Sequence, residues 1–205
     1  MDIFNKTELE DAVIAFMMPW EGTDRRGNVP WRRNPATGDK EPIMSSGVTI
    51  GMGCDLGQQT EKSLVEMGLP KDLVAKFRPY LGLTRYAAMD YLEAHPLSIT
   101  KDEERILNRA VVGLYITYAQ REYDLSKPAH KFWELSTGRQ IALTSLRFHM
   151  GVGKAAYPKT FRYLSEGKWS QAALELMTAS CWPKSWPKNF IARRYAEGEQ
   201  VLRGA

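Results

Sequence analysis

Apolar residues recur at a helical period along most of the chain, and this pattern predicts a mostly helical protein. A capping box formed by Thr7 and Glu10 begins the first predicted helix, which covers about 8–18 and ends near Pro19. A second capping box, at Thr100, begins the longest predicted helix. That helix is apolar over much of its circumference, so we expect it to be the buried spine of the larger lobe.

The segment from 23 to 57 departs from this pattern, because it is polar and contains several turn signals. Within it, residues 47–57 read GVTIGMGCDLG, and Val48 and Ile50 alternate with Thr49 as in a short half-buried strand. Three glycines remove side chains from one edge of this strand: Gly47, Gly51 and Gly53. Glycine in a strand often marks a place where another group approaches the backbone closely. We therefore predict a short strand beside an open groove.

The length and the order of elements predict one domain over residues 1–205, of the predominantly helical α+β class. The small β-lobe is expected at about 20–60. The larger helical lobe is expected at about 61–205, together with the first helix. No repeat, low-complexity tract or linker interrupts the chain.

The cysteines and the hydropathy of the chain narrow its class further. Cys54 and Cys181 are too few for a disulfide scaffold and too isolated for a zinc site, so reduced thiols are expected. No motif indicates a cofactor or a metal. No apolar run approaches the roughly 18 residues that a membrane span needs. The N-terminus is acidic where a Sec signal would be basic, so no Sec signal is visible.

The net charge of +4 is unevenly distributed. Residues 1–100 contain 11 Lys/Arg and 14 Asp/Glu, whereas residues 101–205 contain 17 and 10. A basic half suggests an anionic polymer of the wall or the outer membrane as a partner, and a solvated basic surface is the alternative. The Arg193-Arg194 pair belongs to this half. No pattern of a nucleic-acid-binding fold is visible, so no nucleic acid is expected as a partner.

Two carboxylates are candidates for acid–base chemistry. Glu21 comes directly after the first predicted helix, beside Trp20, whose apolar surface would favour the protonated acid. Asp55 closes the glycine-rich stretch, six positions after Thr49. The alternative for Asp55 is a structural role in which its side chain accepts hydrogen bonds from turn amides.

A Glu-Gly pair after an amphipathic helix, followed by a T-I-G-x-G strand, resembles the phage lysozymes, the endolysins that cut peptidoglycan. Three later segments are similar to the core helix, the following helix pair and the closing helix of that family: IALTSLRFHMG, FRYLSEGKWSQAALELM and NFIARRYAEGEQVL. The resemblance covers roughly 8–57 and 138–203, whereas about 60–135 matches only as generic helix.

The chain departs from the phage pattern near the strand. The family's usual catalytic aspartate lies six residues before the strand threonine, where this chain has Ile43, and 28 positions separate Glu21 from Thr49. The segment ending in Asp-Leu-Gly resembles the pesticin branch of the superfamily instead. In that branch a Glu, a strand Thr and an Asp six residues later form the site, and Glu21, Thr49 and Asp55 match those positions.

This resemblance implies a lysozyme-like fold of two lobes with a cleft between them. It also implies a muramidase that hydrolyses the β-1,4 bond between N-acetylmuramic acid and N-acetylglucosamine with inversion. Glu21 would be the general acid, Asp55 the charged second carboxylate and Thr49 the group that holds the attacking water. An inverting pair would have its carboxyl groups about 6.5–9.5 Å apart.

The resemblance further implies a substrate-binding wall at the end of the core helix, made by Phe148, His149 and Gly151, and a glycan-contacting hydroxyl on Thr160. A histidine near Glu21 would alter activity around pH 6–7. The alternatives are a core or surface hydrogen bond for His149 and a plain helix cap for Thr160.

Peptidoglycan is the expected substrate, and the expected place of action is the periplasm or cell wall of a target bacterium. We expect a monomer. The biological setting is either phage lysis or a delivered antibacterial toxin, which would need an immunity protein. Two other functions stay open, namely a non-hydrolytic cell-wall binder and a lytic transglycosylase.

Overall fold

The computed structural model describes residues 5–203 and confirms the predominantly helical α+β class. The helices are α1 (Lys6–Glu21), α2 (Glu61–Glu66), α3 (Lys71–Phe77), α4 (Arg85–Ala94), α5 (Lys101–Leu125), α6 (Thr137–Met150), α7 (Gly153–Ala156), α8 (Pro158–Ser165), α9 (Trp169–Met177) and α10 (Lys188–Leu202). The strands are β1 (Asp24–Asn28), β2 (Trp31–Arg33), β3 (Lys40–Pro42), β4 (Thr49–Gly51) and β5 (Cys54–Asp55). No helix within residues 5–203 is long and apolar enough to cross a membrane.

The first helix differs from its prediction at both ends. Its reciprocal capping bonds join Asn5 and Glu8, and not Thr7 and Glu10: the Glu8 amide donates to Asn5 Oδ1 (3.1 Å) and the Asn5 amide donates to Glu8 Oε2 (2.8 Å). At the other end, the helix continues past Pro19 to Glu21, so proline does not end it as the sequence predicted. Gly22, with a φ of 63°, follows the last helical residue, Glu21.

Residues 21–111 form one compact unit, which we call the sheet unit. Strands β1, β4 and β5 make an antiparallel sheet in the order β1-β4-β5, and β2 and β3 make a separate hairpin. The predicted strand at Thr49 is confirmed as β4, with Val48 and Ile50 fully buried. The predicted capping box at Thr100 is also confirmed, because Glu103 and Thr100 exchange hydrogen bonds of 2.7 and 3.2 Å.

The second compact unit, the helical unit, comprises residues 5–20 and 112–203 of the described chain. Its most buried element is α6, in which every residue from Gln140 to Leu146 is buried. The longest helix, α5, keeps exposed residues along its length, including Tyr118 and Leu125, so α6 is the buried spine instead. The division between the units falls within α5, and the single domain and its lobe boundaries near residue 60 stay predictions.

The arginine pair of α10 is buried and not part of a solvated basic surface. Arg193 and Arg194 are 2% and 0% exposed, and both contact Glu197, which is also fully buried. Arg194 Nη2 lies 2.6 Å from Glu197 Oε1, and the Ser145 hydroxyl donates to the same oxygen. Burial raises the pKa of Glu197, and the two arginines oppose that rise. Arg193 and Glu197 of α10 therefore bond to Ser145 of α6, which joins the two helices through a buried polar network.

Candidate functional site

The structure brings Thr49 and Asp55 together on one hairpin. They are directly paired residues of β4 and β5, so their side chains lie on the same face of the sheet. The Leu56 amide donates to the Val48 carbonyl (2.8 Å), which makes Thr49 and Asp55 a non-hydrogen-bonded pair. Side chains are closest at such pairs, with Cβ atoms about 4.5–5.5 Å apart. A hydroxyl and a carboxylate are therefore adjacent here.

Backbone amides hold the Asp55 carboxylate. Its Oδ1 accepts hydrogen bonds from the amides of Gly47 (3.1 Å) and Gly57 (2.9 Å), and it caps the short 3-10 helix Leu56–Gln58. Burial raises the pKa of Asp55, whereas the amides of Gly47, Gly57 and Gln58 lower it. The structural role considered for Asp55 thus occurs in the molecule, and it fixes the orientation of a half-buried carboxylate.

The glycines around this hairpin are required by the protein's own packing. A Cβ on Gly57 would lie 2.4 Å from the Leu83 carbonyl oxygen, and one on Gly47 would lie 2.5 Å from both that oxygen and Gly57 Cα. A Cβ on Gly51 would lie 2.8 Å from Asn108 Oδ1. The sequence predicted that another group approaches the backbone closely at these glycines. In the structure, that group is another segment of the same chain.

Asn108 links the hairpin to the segment that follows Glu21, and sequence reasoning missed it. Asn108 is 4% exposed, and its Oδ1 accepts a hydrogen bond from the Met52 amide (2.8 Å) in the turn between β4 and β5. Its Nδ2 donates to Thr23 Oγ1 (3.1 Å), and that hydroxyl donates to Glu104 Oε1 (2.6 Å). The signal that could have revealed it is an asparagine among the apolar positions of α5, where a buried polar side chain needs hydrogen-bond partners.

Glu21 is half-buried at the last position of α1, within the sheet unit. The Asn108 network reaches Thr23, two residues after it. On the other side of β4, Asn28 of β1 is paired with Thr49 and donates from Nδ2 to the Thr49 carbonyl (3.4 Å). Sequence reasoning also missed Asn28, because the register in which two strands pair cannot be read from the sequence of either strand. The separation of the Glu21 and Asp55 carboxyl groups stays a prediction.

The predicted wall residues lie in the helical unit. Phe148 and His149 are in the last turn of α6, and Gly151 ends that helix with a φ of 84°. The Phe148 ring packs on Tyr115, with centroids 4.5 Å apart. Thr160 is 2% exposed in the first turn of α8. The roles of these four residues in substrate binding stay predictions.

His149 lies in an apolar and electropositive environment. The rings of Phe190 and Trp186 are nearly perpendicular to the His149 ring, at centroid distances of 4.5 and 6.5 Å. Its buried Nδ1 has no hydrogen-bond partner among residues 5–203. Burial, together with the charges of Arg193 and Arg194, lowers the pKa of His149 from 6.5 to about 4. His149 is therefore neutral near pH 7, and its titration falls below the pH 6–7 range that the sequence suggested.

An aromatic cavity of about 270 Å³ opens near these wall residues in the helical unit. Thr160, Tyr157 and Met150 line it, together with Trp182 and Trp186, whose rings stack at 5.4 Å. Stacked indole rings beside a hydroxyl form a surface suited to the apolar face of a sugar.

The two cysteines are both free thiols. Cys54 is buried in β5, and burial raises its pKa to about 12. Cys181 is exposed and lines the aromatic cavity, and its pKa is also raised, first by burial and then by Glu175. Among residues 5–203, no group of three or more His, Cys, Asp or Glu side chains is arranged to hold a metal ion.

Comparison with known proteins identifies one family. A family model described as "Pesticin: Bacterial toxin homologue of phage lysozyme, C-term" matches residues 14–170, which is most of the chain. No curated protein matches the chain. The matched range contains Glu21, Thr49 and Asp55, whereas α10 lies outside it. It also contains the predicted substrate-binding residues Phe148, His149, Gly151 and Thr160.

Proposed function

Because the chain belongs to the pesticin family of bacterial toxins homologous to phage lysozyme, we propose that it is a muramidase toxin. The substrate is peptidoglycan, and the bond cleaved is the β-1,4 linkage between N-acetylmuramic acid and N-acetylglucosamine. The observation that carries this proposal is the direct pairing of Thr49 with Asp55 on β4 and β5, within the family-matched range that also contains Glu21.

In the proposed reaction, Glu21 is the general acid and donates its proton to the glycosidic oxygen as the bond to the muramic acid breaks. Thr49 holds the attacking water by a hydrogen bond. Asp55, as the carboxylate, accepts a proton from that water while the oxygen adds to the anomeric carbon from the opposite face. The product is a reducing sugar of inverted configuration.

The environment of Asp55 supports its part in this reaction. The amides of Gly47 and Gly57 hold Oδ1 in one orientation, which limits the rotation of the carboxylate before water attack. Burial, which raises the pKa of Asp55, also makes the ionised carboxylate a stronger base. Thr49 is its directly paired cross-strand neighbour, so both side chains can contact the same water molecule.

We assign the binding of the glycan in the helical unit to the aromatic cavity and to Phe148, His149, Gly151 and Thr160. The supporting observation is that Thr160 shares this cavity with the stacked pair of tryptophans. The neutral His149 would act by packing and hydrogen bonding, and not by charge.

The family description favours the delivered-toxin setting over phage lysis. In that setting the protein acts on the wall of a target bacterium from the periplasm. The producing cell would need an immunity protein, and the toxin itself would act as a monomer.

The test is mass analysis of the muropeptides released from purified cell walls by wild type and by E21Q, D55N and T49A. A matched control is D102N, because Asp102 is a carboxylate 85% exposed on α5. We expect reducing-end products from wild type and D102N, and a loss of rate of about 100-fold or more in E21Q and D55N. NMR of the first product should show the inverted anomer.

Three results would refute this proposal. Anhydro-muramic ends would indicate a lytic transglycosylase. Binding of folded protein to intact walls without release would indicate a non-hydrolytic binder. Near-wild-type rates in E21Q or D55N would remove those residues from the reaction.

A further inference from the structure

A second cavity lies in the helical unit, next to the end of α6 and lined by different residues from the aromatic cavity. Its volume is about 360 Å³, within the range of small-ligand pockets. The residues that line it belong to the C-terminal part of α5, the end of α6 and the segment around α7. None of the residues assigned above to catalysis or to glycan binding contributes to its lining.

The charged groups that line this cavity carry an excess of positive charge. Glu122 Oε2 is 3.4 Å from Arg147 Nε, and Glu122 Oε1 accepts the amide of Gly153 (2.5 Å), so the single carboxylate of the lining is already compensated. Arg121 and Lys154 also line the cavity, and both residues are exposed. Two cations beside a neutralised ion pair attract an anion.

The same cavity carries an apolar surface. Leu125 is 68% exposed, Val152 48% and Tyr118 41%, and all three line the cavity. Single exposed apolar side chains are ordinary on a protein surface, but three around one concave site mark a place that an apolar group covers. The Arg147 guanidinium lies over the Tyr118 ring at 5.3 Å, which fixes one wall.

We propose that this cavity binds an anionic phospholipid. Arg121 and Lys154 hold the phosphate, and Leu125, Val152 and Tyr118 contact the apolar part of the lipid. Cations next to aliphatic and aromatic side chains are the combination with which proteins bind anionic membrane surfaces. The volume of about 360 Å³ is suited to the headgroup and glycerol of one lipid, whose acyl chains would extend out of the cavity. The charge of the lining favours an anionic lipid over a neutral one.

The probes are vesicles of phosphatidylcholine with and without phosphatidylglycerol, and soluble dihexanoyl phosphatidylglycerol. Co-sedimentation measures binding to the vesicles, and NMR titration measures binding of the soluble lipid. The variants are R121E, which reverses one charge of the cavity, and L125S, which changes no charge. The matched control is R105E, because Arg105 is an exposed arginine (66%) on the same helix and outside the cavity.

We expect wild type to bind the vesicles that contain phosphatidylglycerol and not the others, and to bind the soluble lipid. R121E should weaken vesicle binding about tenfold or more, L125S should also weaken it, and R105E should not. Circular dichroism and urea unfolding would verify that each variant is folded.

Several outcomes would overturn the proposal. An equal loss in R105E, or no loss in L125S, would indicate a general effect of basic charge. Binding to vesicles without binding of the soluble lipid would indicate a flat surface instead of a pocket. If a glutamate-rich peptide binds with the same sensitivity to R121E while the vesicles do not, the site serves an acidic protein.

Discussion

The environment of His149 makes the stability of the protein depend on pH in a defined direction. Its pKa is about 4 in the folded protein and 6.5 ordinarily, so between these values the unfolded chain binds a proton that the folded chain does not. The free energy of unfolding must therefore fall as the pH is lowered from 6.5 towards 4. Each tenfold difference in proton affinity is worth about 1.4 kcal/mol. Because the ring is partly exposed and solvent screens it, we expect a loss of about 1–2 kcal/mol.

The substitution H149F isolates this effect. It keeps an aromatic ring against Phe190 and Trp186, and it leaves no donor or acceptor at the buried Nδ1 position. Urea unfolding at about pH 7.5 and about pH 4.5 gives the pH-dependent loss for each protein. The loss should be about 1–2 kcal/mol smaller in H149F than in wild type. The matched control H130F, at a histidine whose side chain is 73% exposed, should retain the wild-type loss.

The reasoning would be refuted if wild type and H149F lost the same free energy between the two pH values. It would also be refuted if H130F alone reduced the loss, because the effect would then belong to an exposed histidine. Asp55 and Glu197, whose carboxyl groups have a raised pKa, are unchanged in both variants, so their contributions cancel in the comparison.

Three further predictions concern packing. N108A should lower the free energy of unfolding by about 2–4 kcal/mol, because the buried Met52 amide loses its acceptor; an unchanged urea midpoint would contradict this. G57A should lower the free energy of unfolding by about 1–3 kcal/mol, since its methyl group would meet a backbone carbonyl oxygen at 2.4 Å. It should also reduce murein hydrolysis by more than this loss of stability explains, because the Gly57 amide holds Asp55. Full activity would show that the reaction does not need the present geometry of Asp55. E197A should destabilise by about 3–5 kcal/mol, because it removes the buried carboxylate that Arg193 and Arg194 both contact. E199A, at an exposed position of the same helix, should change little, and equal effects of the two would contradict the buried network.

Local chemistry made much of the fold predictable from the sequence. The reciprocal hydrogen bonds of Thr100 and Glu103 depend on residues three positions apart, and the alternation around Ile50 depends on immediate neighbours. At the first helix the sequence offers two equivalent capping boxes, because Asn5 and Thr7 each have a glutamate three residues later. The structure uses the one at Asn5, whereas the sequence analysis chose Thr7.

The parts that could not be predicted depend on contacts between distant segments. The acceptor role of Asn108 needs Met52, 56 residues away in the chain. The burial of Arg193 and Arg194 needs Ser145 on another helix and Glu197 one turn further on. Without those contacts two adjacent arginines are typical of a solvated surface, and a histidine near them has no reason to lose its proton affinity.

The two thiols provide a built-in attachment point for a reporter group. At neutral pH the side chain in β5 is shielded and protonated, since burial raises the pKa of Cys54 to about 12. A maleimide dye would therefore modify the exposed Cys181 in the natural sequence, without any engineered residue. Because Trp182 and Trp186 line the same cavity and indoles quench many dyes, the brightness of that label would register a wall fragment as it enters.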